Sequence, residues 1–173
     1  VTEIREKAFY GCKALTNVVL PATLTKLDKA AFDGCSSLTE ITLPKKLKTL
    51  GEAVFEGCTA LKAINVAEGN ASFASADGVL FNKAKTNLLA FPAGKTGAYA
   101  VPSGTEEIAA STFSRCVGLS AITLPETLTT IGAEVFYRCT GLTELTLPNS
   151  VTSIGESFVY RCSALKSVKL GSG

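Results

Sequence analysis

Apolar residues return along this chain with a fixed step of 23 residues. Within each period they follow the order L-x-x-I-x-L-P, then L-x-x-I-G, then A-F-x-x-C. A fixed period between about 20 and 50 residues is typical of stacked structural repeats. The pattern therefore predicts a repeat solenoid, and its markers are Cys12, Cys35, Cys58, Cys116, Cys139 and Cys162.

The first motif of each period predicts a strand with one buried face. In the second period, Ile41 and Leu43 share one side of such a strand. Glu40 and Thr42 face the opposite side. Proline then ends the strand, because it lacks the N–H group that a ladder needs.

The rest of the period predicts a second short strand and a turn. Residues 47–51 form another extended piece that ends at a glycine. Residues 53–58 are too few for an independent helix, so we predict about one helical or 3₁₀ turn there. One unit cannot bury its own apolar edge, whereas stacked units can.

The register continues through the long interval between Cys58 and Cys116. Tyr99 stands 23 residues before Ile122, which places a fourth rung there without its cysteine. Seven rungs at ~4.8 Å spacing predict a parallel sheet about 29 Å long on one face, with the short turns on the other.

The additional length of this interval lies before the fourth rung. Residues 78–81 and 88–91 read as two strands, so we predict a β-hairpin inserted into the solenoid. An inserted loop is a candidate for binding or fills a packing defect. The chain then divides into repeats over 1–66, an insert over about 67–96, and repeats over about 97–170.

These motifs resemble the leucine-rich repeats of the BspA-like bacterial surface proteins. Residues 77–83 and 91–95 also resemble an insert that recurs in that family. The resemblance covers nearly the whole chain and implies one right-handed superhelical domain over residues 1–173. It further implies an extracellular or cell-surface location and a role in adhesion.

Composition narrows the function classes. The formal net charge is +2 and the basic residues form no long run, so no nucleic-acid partner is expected. The apolar runs are shorter than the roughly 20 residues of a membrane span. No signal peptide is visible. The chain contains no methionine, so we expect a fragment of a longer protein.

The cysteines raise the question of disulfides or metal. Their even number is compatible with three disulfides, but equivalent residues in a stack point the same way, which favours a column of buried free thiols. A spacing of 23 without histidine disfavours a zinc site and removes the usual catalytic bases. We therefore predict no catalytic residue, no metal and no cofactor.

A polysaccharide-active solenoid enzyme is the catalytic alternative. Such enzymes need paired carboxylates on the exposed strand faces, and Glu40 and Glu144 lie there. These residues are four rungs apart, about 19 Å at the strand spacing. Paired glycosidase carboxylates lie ~5 to 9.5 Å apart, so this reading is disfavoured.

The outer surface supplies candidate binding residues. The last three units carry arginine before the cysteine, where the first three carry glycine, and tyrosine precedes two of these arginines. Arginine and tyrosine are enriched at binding hot spots; alternatively, the arginine stems cover apolar surface at a solvated turn. The strand faces add residues that could contact a partner or simply suit a solvated strand. The candidates are Arg115, Arg138, Arg161, Tyr137, Tyr160, Glu40, Thr42, Thr123, Glu144 and Thr146.

The sequence thus predicts a non-catalytic protein-binding or adhesion module of a secreted or cell-surface bacterial protein. Its expected partner is a protein, such as a host or extracellular-matrix protein, or an anionic glycan. The main alternative is a structural spacer with no ligand of its own. Both ends of the chain interrupt a repeat, so further repeats or end-to-end self-association are also expected.

Overall fold

Two apolar segments become strands in most repeats, because each buries its inner face by stacking on the next repeat. Residues 15–20 of the first repeat, a predicted rung, form no strand. The computed structural model describes residues 1–172, which make about seven turns of a mainly β solenoid without any helix. Gly173, the last residue of the predicted domain, lies outside the described residues. The strands are β1 (Glu3–Ile4), β2 (Lys26–Leu27), β3 (Glu40–Leu43), β4 (Thr49–Leu50), β5 (Ala63–Val66), β6 (Phe73–Ala76), β7 (Val79–Asn82), β8 (Asn87–Ala90), β9 (Gly97–Ala100), β10 (Glu107–Ile108), β11 (Leu119–Thr123), β12 (Thr130–Ile131), β13 (Glu144–Thr146), β14 (Ser153–Ile154) and β15 (Ser167–Lys169).

The strands of the L-x-x-I-G motif form parallel ladders whose register is the sequence period. β1, β2 and β4 make a three-stranded sheet in which Ile4 pairs with Leu27 and Leu27 with Leu50. β10, β12 and β14 repeat the arrangement in the second half, where Ile108 pairs with Ile131. Equivalent aliphatic side chains therefore lie over one another.

The strands of the L-x-x-I-x-L-P motif pair as β3 with β5, β9 with β11, and β13 with β15. The single continuous parallel sheet that the sequence predicted is therefore wrong for residues 1–172. The interruption after β5 has a physical cause, because β6 and β7 lie beside β5 where the next rung would pair. The Ile64 N–H donates to the Gly78 carbonyl of this inserted segment at 2.8 Å.

The inserted segment is an antiparallel meander of three strands. β6 pairs with β7 and β7 with β8, and β8 then pairs in parallel with β10. β7 and β8 correspond to the predicted strands at 78–81 and 88–91, with bounds shifted by one residue. β6 was not predicted, because its sequence Phe-Ala-Ser-Ala contains no β-branched residue.

Two hydrophobic cores lie on opposite sides of β7. Leu80 packs in the core of the first three repeats, whereas Val79 and Phe81 pack in the core of the later repeats. All three side chains are fully buried. A strand buried on both faces is continuously apolar, which explains the run Val-Leu-Phe.

The segment after each L-x-x-I-G motif is a wall of turns, so the predicted helical or 3₁₀ turn is wrong. Each of the six cysteine-containing repeats holds one residue with positive φ at the start of this wall, such as Ala30 (55°), and a second four residues later, such as Gly34 (75°). A helix needs consecutive residues with negative φ, and these positions interrupt it.

Hydrogen bonds of the turn wall alternate between two kinds of partner. The Ala31 N–H donates within its own repeat to the Asp28 carbonyl, whereas the Phe32 N–H donates to the Val54 carbonyl of the next repeat. The wall therefore satisfies its backbone groups by stacking, as the strands do.

All six cysteines are free thiols; five are buried and Cys12 is exposed, which departs from the predicted fully buried column. The Cys58 thiol donates to the Phe32 carbonyl of the preceding repeat at 3.1 Å. Cys12 belongs to the first repeat and has no preceding repeat within the chain to cover it. Burial raises the pKa of Cys58 and of Cys139 to about 12.

Candidate binding surface

Arginine and tyrosine side chains interleave along the turn wall of the last three repeats, and we call this set the arginine–tyrosine ladder: Arg115, Tyr137, Arg138, Tyr160 and Arg161. The Arg138 guanidinium carbon lies 5.4 Å from the centroid of the Tyr137 ring, and that of Arg161 lies 5.3 Å from the Tyr160 centroid. The two tyrosine rings stack at 5.7 Å. The ladder therefore forms one continuous surface.

Each arginine of the ladder occupies a left-handed backbone position. Arg115, Arg138 and Arg161 have φ values of 60°, 57° and 60°. The equivalent residues of the first three repeats are glycines, which adopt this conformation at no steric cost. An L-residue with a side chain pays on the order of 1 kcal/mol there.

The charges of the ladder are unevenly compensated. Arg115 Nε lies 3.4 Å from Glu56 Oε1, an ion pair without the geometry of a hydrogen bond. Arg138 and Arg161 have no carboxylate within 4.0 Å among residues 1–172. Aromatic faces attract these two cations, which leaves their charge available to an anionic group.

The strand-face candidates lie in two separate places. Thr123, Glu144 and Thr146 line a cavity of about 470 Å³ near the C-terminal repeats. Glu40 and Thr42 line another of about 440 Å³ near the N-terminal repeats. All five side chains are exposed. The structure therefore groups the predicted residues into three surfaces.

Sequence reasoning missed Glu56, which connects the two halves of the solenoid. Its side chain is only 13% exposed. The Ser114 hydroxyl donates to Glu56 Oε1 at 2.9 Å, the same oxygen that faces Arg115. The residues are 58 positions apart, so no local pattern could have indicated their contact.

Asp33 lies near this contact, and the charges of Glu56 and Arg115 affect the pKa of its carboxyl. Burial, followed by the Glu56 charge, raises the pKa of the Asp33 carboxyl, while Arg115 and Lys7 act in the opposite direction. Two carboxylates thus share the environment of one nearby guanidinium.

Within residues 1–172, no cluster of three or more His, Cys, Asp or Glu side chains could hold a metal ion. The same residues contain no helix with the length and apolar character of a membrane span.

The profile described as BspA type Leucine rich repeat region matches the chain in 6 copies, over residues 1–97 and 90–173. Among solved structures, the chain is similar to the pneumococcal vaccine antigen PcpA, with 32% identity over 99% of this chain and 51% of that chain and a TM-score of 0.80. It is also similar to a leucine-rich repeat protein from Eubacterium ventriosum, with 27% identity, coverage of 98% and 57%, and a TM-score of 0.76.

A leucine rich cell surface protein from Faecalibacterium prausnitzii shares the fold, with 24% identity, coverage of 100% and 58%, and a TM-score of 0.64. The chain spans between 51% and 58% of the length of these three structures. No curated protein was found to match it.

Proposed function

Because the chain belongs to the BspA-type leucine-rich repeat family, we propose that it is a non-catalytic binding module at a bacterial cell surface. Its partner is a protein, such as a host or extracellular-matrix protein, or an anionic glycan. The family and the similarity to a protein named as a vaccine antigen support this location. Residues 1–173 act as one right-handed superhelical domain of that surface protein.

The arginine–tyrosine ladder is the observation that carries this proposal. Three arginines stand in left-handed positions where earlier repeats have glycine, and two of them lack a carboxylate among the described residues. Ordinary residues such as Ala30 accept the same backbone cost, so the distinguishing feature of the ladder is its row of three cations. A row of guanidinium groups held on tyrosine faces suits carboxylate or sulfate groups, because arginine donates to them in a bidentate manner.

A spacer without a ligand is the competing function. A spacer tolerates any change of the outward side chains that leaves the fold intact. A binding module loses its partner when one surface is changed and keeps it when another is changed.

The test compares two triple variants with the same loss of charge. The first changes Arg115, Arg138 and Arg161 to glycine, which restores the residue of the earlier repeats. The second changes three exposed lysines elsewhere to glycine: Lys13, Lys46 and Lys83. Retention on immobilised heparin and hyaluronan is measured against salt, together with attachment to plates coated with extracellular-matrix proteins.

We expect the arginine variant to lose retention or attachment and the lysine variant to keep it. Equal loss in both variants would indicate only non-specific charge attraction. If the arginine variant binds a probe as strongly as the wild-type protein does, the ladder is not the binding surface. If wild-type protein binds none of these probes, the spacer is favoured.

A further inference from the structure

Repeat stacking is interrupted on the turn side of the third repeat, and a cleft of about 560 Å³ lies there. One wall is β4 with the following turn, residues 48–56. The other includes Phe73, residues 89–91 and Ala110. β4 is an edge strand, because β8 pairs with β7 and β10 instead of with β4. The cleft thus occupies the place where one more strand would lie on β4.

The β4 wall carries acceptors that are paired in other repeats. The Leu27 carbonyl accepts the Gly51 N–H at 2.8 Å, and the Leu88 carbonyl accepts the Ala109 N–H at 2.9 Å. The equivalent Leu50 carbonyl accepts no backbone N–H among residues 1–172. The Lys48 carbonyl likewise accepts no backbone N–H among these residues. The equivalent Thr25 carbonyl accepts from the N–H groups of Lys48 and Thr49.

The turn after β4 carries backbone N–H groups that are also unpaired among the described residues. Phe9 and Phe32 donate their N–H groups to the next repeat at 2.8 and 3.0 Å. Phe55, their equivalent, donates to no acceptor within the described chain, and neither does Ala53, although its equivalent Ala30 does. The wall therefore offers two carbonyls followed by two N–H groups, which is the pattern that an extended backbone satisfies.

The aromatic column is broken at the same place. Phe32 lies 6.1 Å from Phe55 between ring centroids, and Phe91 lies 4.9 Å from Phe113. No stacked pair joins Phe55 to Phe91 within residues 1–172. Phe55, Phe91 and Phe73 retain 6–7% exposure, whereas Phe32 and Phe113 have none. A gap lined by aromatic rings suits an apolar side chain.

The rim of the cleft carries one carboxylate that is not in an ion pair within the described chain. Glu52, Glu56 and Glu107 line it against one ammonium group, that of Lys48. Lys29 lies 3.4 Å from Glu52, and Glu56 faces Arg115, but Glu107 has no cation within 4.0 Å among the described residues. A bound segment with lysine beside its apolar residues therefore complements the Glu107 charge.

We propose that this cleft binds an extended segment of a partner protein, which adds the missing strand parallel to β4. The segment donates N–H groups to the Lys48 and Leu50 carbonyls and accepts from Ala53 and Phe55. It carries an aliphatic residue, then an aromatic residue five positions later, flanked by lysine. This site uses no residue of the arginine–tyrosine ladder and therefore goes beyond the function proposed above.

A suitable probe is the synthetic peptide of residues 25–33, which contains Leu27, Phe32, two lysines and two aspartates. In the intact chain this segment already lies on the first repeat as the missing strand would lie on the third. A control peptide has serine in place of Leu27 and Phe32. Amide exchange by NMR and fluorescence anisotropy are measured with the 173-residue chain.

We expect the first peptide to slow exchange of the Ala53 and Phe55 amides by about tenfold or more, and the control peptide to leave them unchanged. Ala90→Trp, which fills the cleft, should weaken binding by about tenfold or more. Ala14→Trp, at an exposed site of the first repeat, should not.

Three results would overturn the proposal: no slowing at saturating peptide, equal slowing by both peptides, or binding that protects amides elsewhere. Because the exchange measurement uses wild-type protein, it decides the matter even if Ala90→Trp fails to fold.

Discussion

Leu80 and Phe81 are adjacent in β7, yet their side chains belong to different hydrophobic cores. Successive residues of a strand point to opposite faces, and here both faces are buried. β7 is thus shared by the first three repeats and the later ones. Each side of β7 therefore contributes to the stability of one half.

Truncation of these neighbours should therefore loosen different halves. We expect Leu80→Ala to cost about 2–5 kcal/mol and Phe81→Ala about 3–5 kcal/mol of unfolding free energy, measured by urea denaturation. Hydrogen exchange should rise more in residues 24–64 for the first variant and more in residues 108–147 for the second. The same exchange pattern in both variants would contradict the separation of the cores.

Removal of the Glu56 side chain should weaken the contact between the halves. Glu56→Ala leaves the buried Ser114 hydroxyl without its acceptor, which costs about 1–3 kcal/mol. Loss of the partly exposed Arg115 pair adds at most about 1 kcal/mol. Glu52→Ala is the matched control, because its pair with Lys29 is largely exposed. Equal thermal melting shifts in the two variants would show that the Glu56 contact contributes nothing special.

The raised pKa of Asp33 predicts a dependence of stability on pH. A carboxyl whose pKa is raised on folding binds more protons in the folded state between its ordinary value, 3.8, and its folded value. Its ionisation therefore lowers stability as pH rises through that window. Asp33→Asn should stabilise the protein at about pH 7 and have no effect well below about pH 3.8, as urea unfolding at both conditions will show. Destabilisation by this change at neutral pH would contradict the assignment.

Thiol reactivity should separate Cys12 from the other five cysteines. Buried thiols with raised pKa values contain little thiolate and react slowly. A thiol-reactive dye at about pH 8 should label one cysteine rapidly in native protein and six after denaturation without reductant. Cys12→Ser should abolish the rapid phase. Two or fewer reactive groups in the denatured protein would indicate disulfides instead.

Glycine and alanine at Arg161 should differ in their effect on stability. Arg161→Ala keeps the unfavourable φ and loses the contact with Tyr160, at a cost of about 0.5–1 kcal/mol. Arg161→Gly loses the same contact but relieves the left-handed backbone, so it should be about 1 kcal/mol more stable than the alanine variant. Differential scanning calorimetry of both variants measures this difference, and its absence would contradict the strain.

The sequence predicts the repeat, because each period carries its own markers. Leu27 and Leu50 are paired at the step that the cysteines indicate. The turn wall could not be predicted, because ordinary residues such as Ala30 and Arg138 adopt positive φ there. Tertiary stacking imposes this conformation against local preference.

The candidate surface was only partly predictable. The arginine row follows from the period, so Arg138 and Arg161 could be placed beside each other in advance. The contact between Glu56 and Ser114 could not, since it depends on how the insert closes the space between two rungs. The cleft beside β4 could not be predicted either, because it exists only where β8 pairs with β7 instead of with β4.

The alternating hydrogen bonds of the turn wall have a consequence for how such a chain can evolve. Alternate donors reach acceptors in the adjoining repeat, as the Phe113 N–H reaches the Val135 carbonyl. Gain or loss of a single residue would shift every later donor onto the wrong acceptor. Duplication or deletion of one complete period restores all partners at once. Insertions and deletions that keep the fold are therefore expected to span whole repeats. A shorter change is tolerated only where, as around β7, an inserted segment restores the pairing.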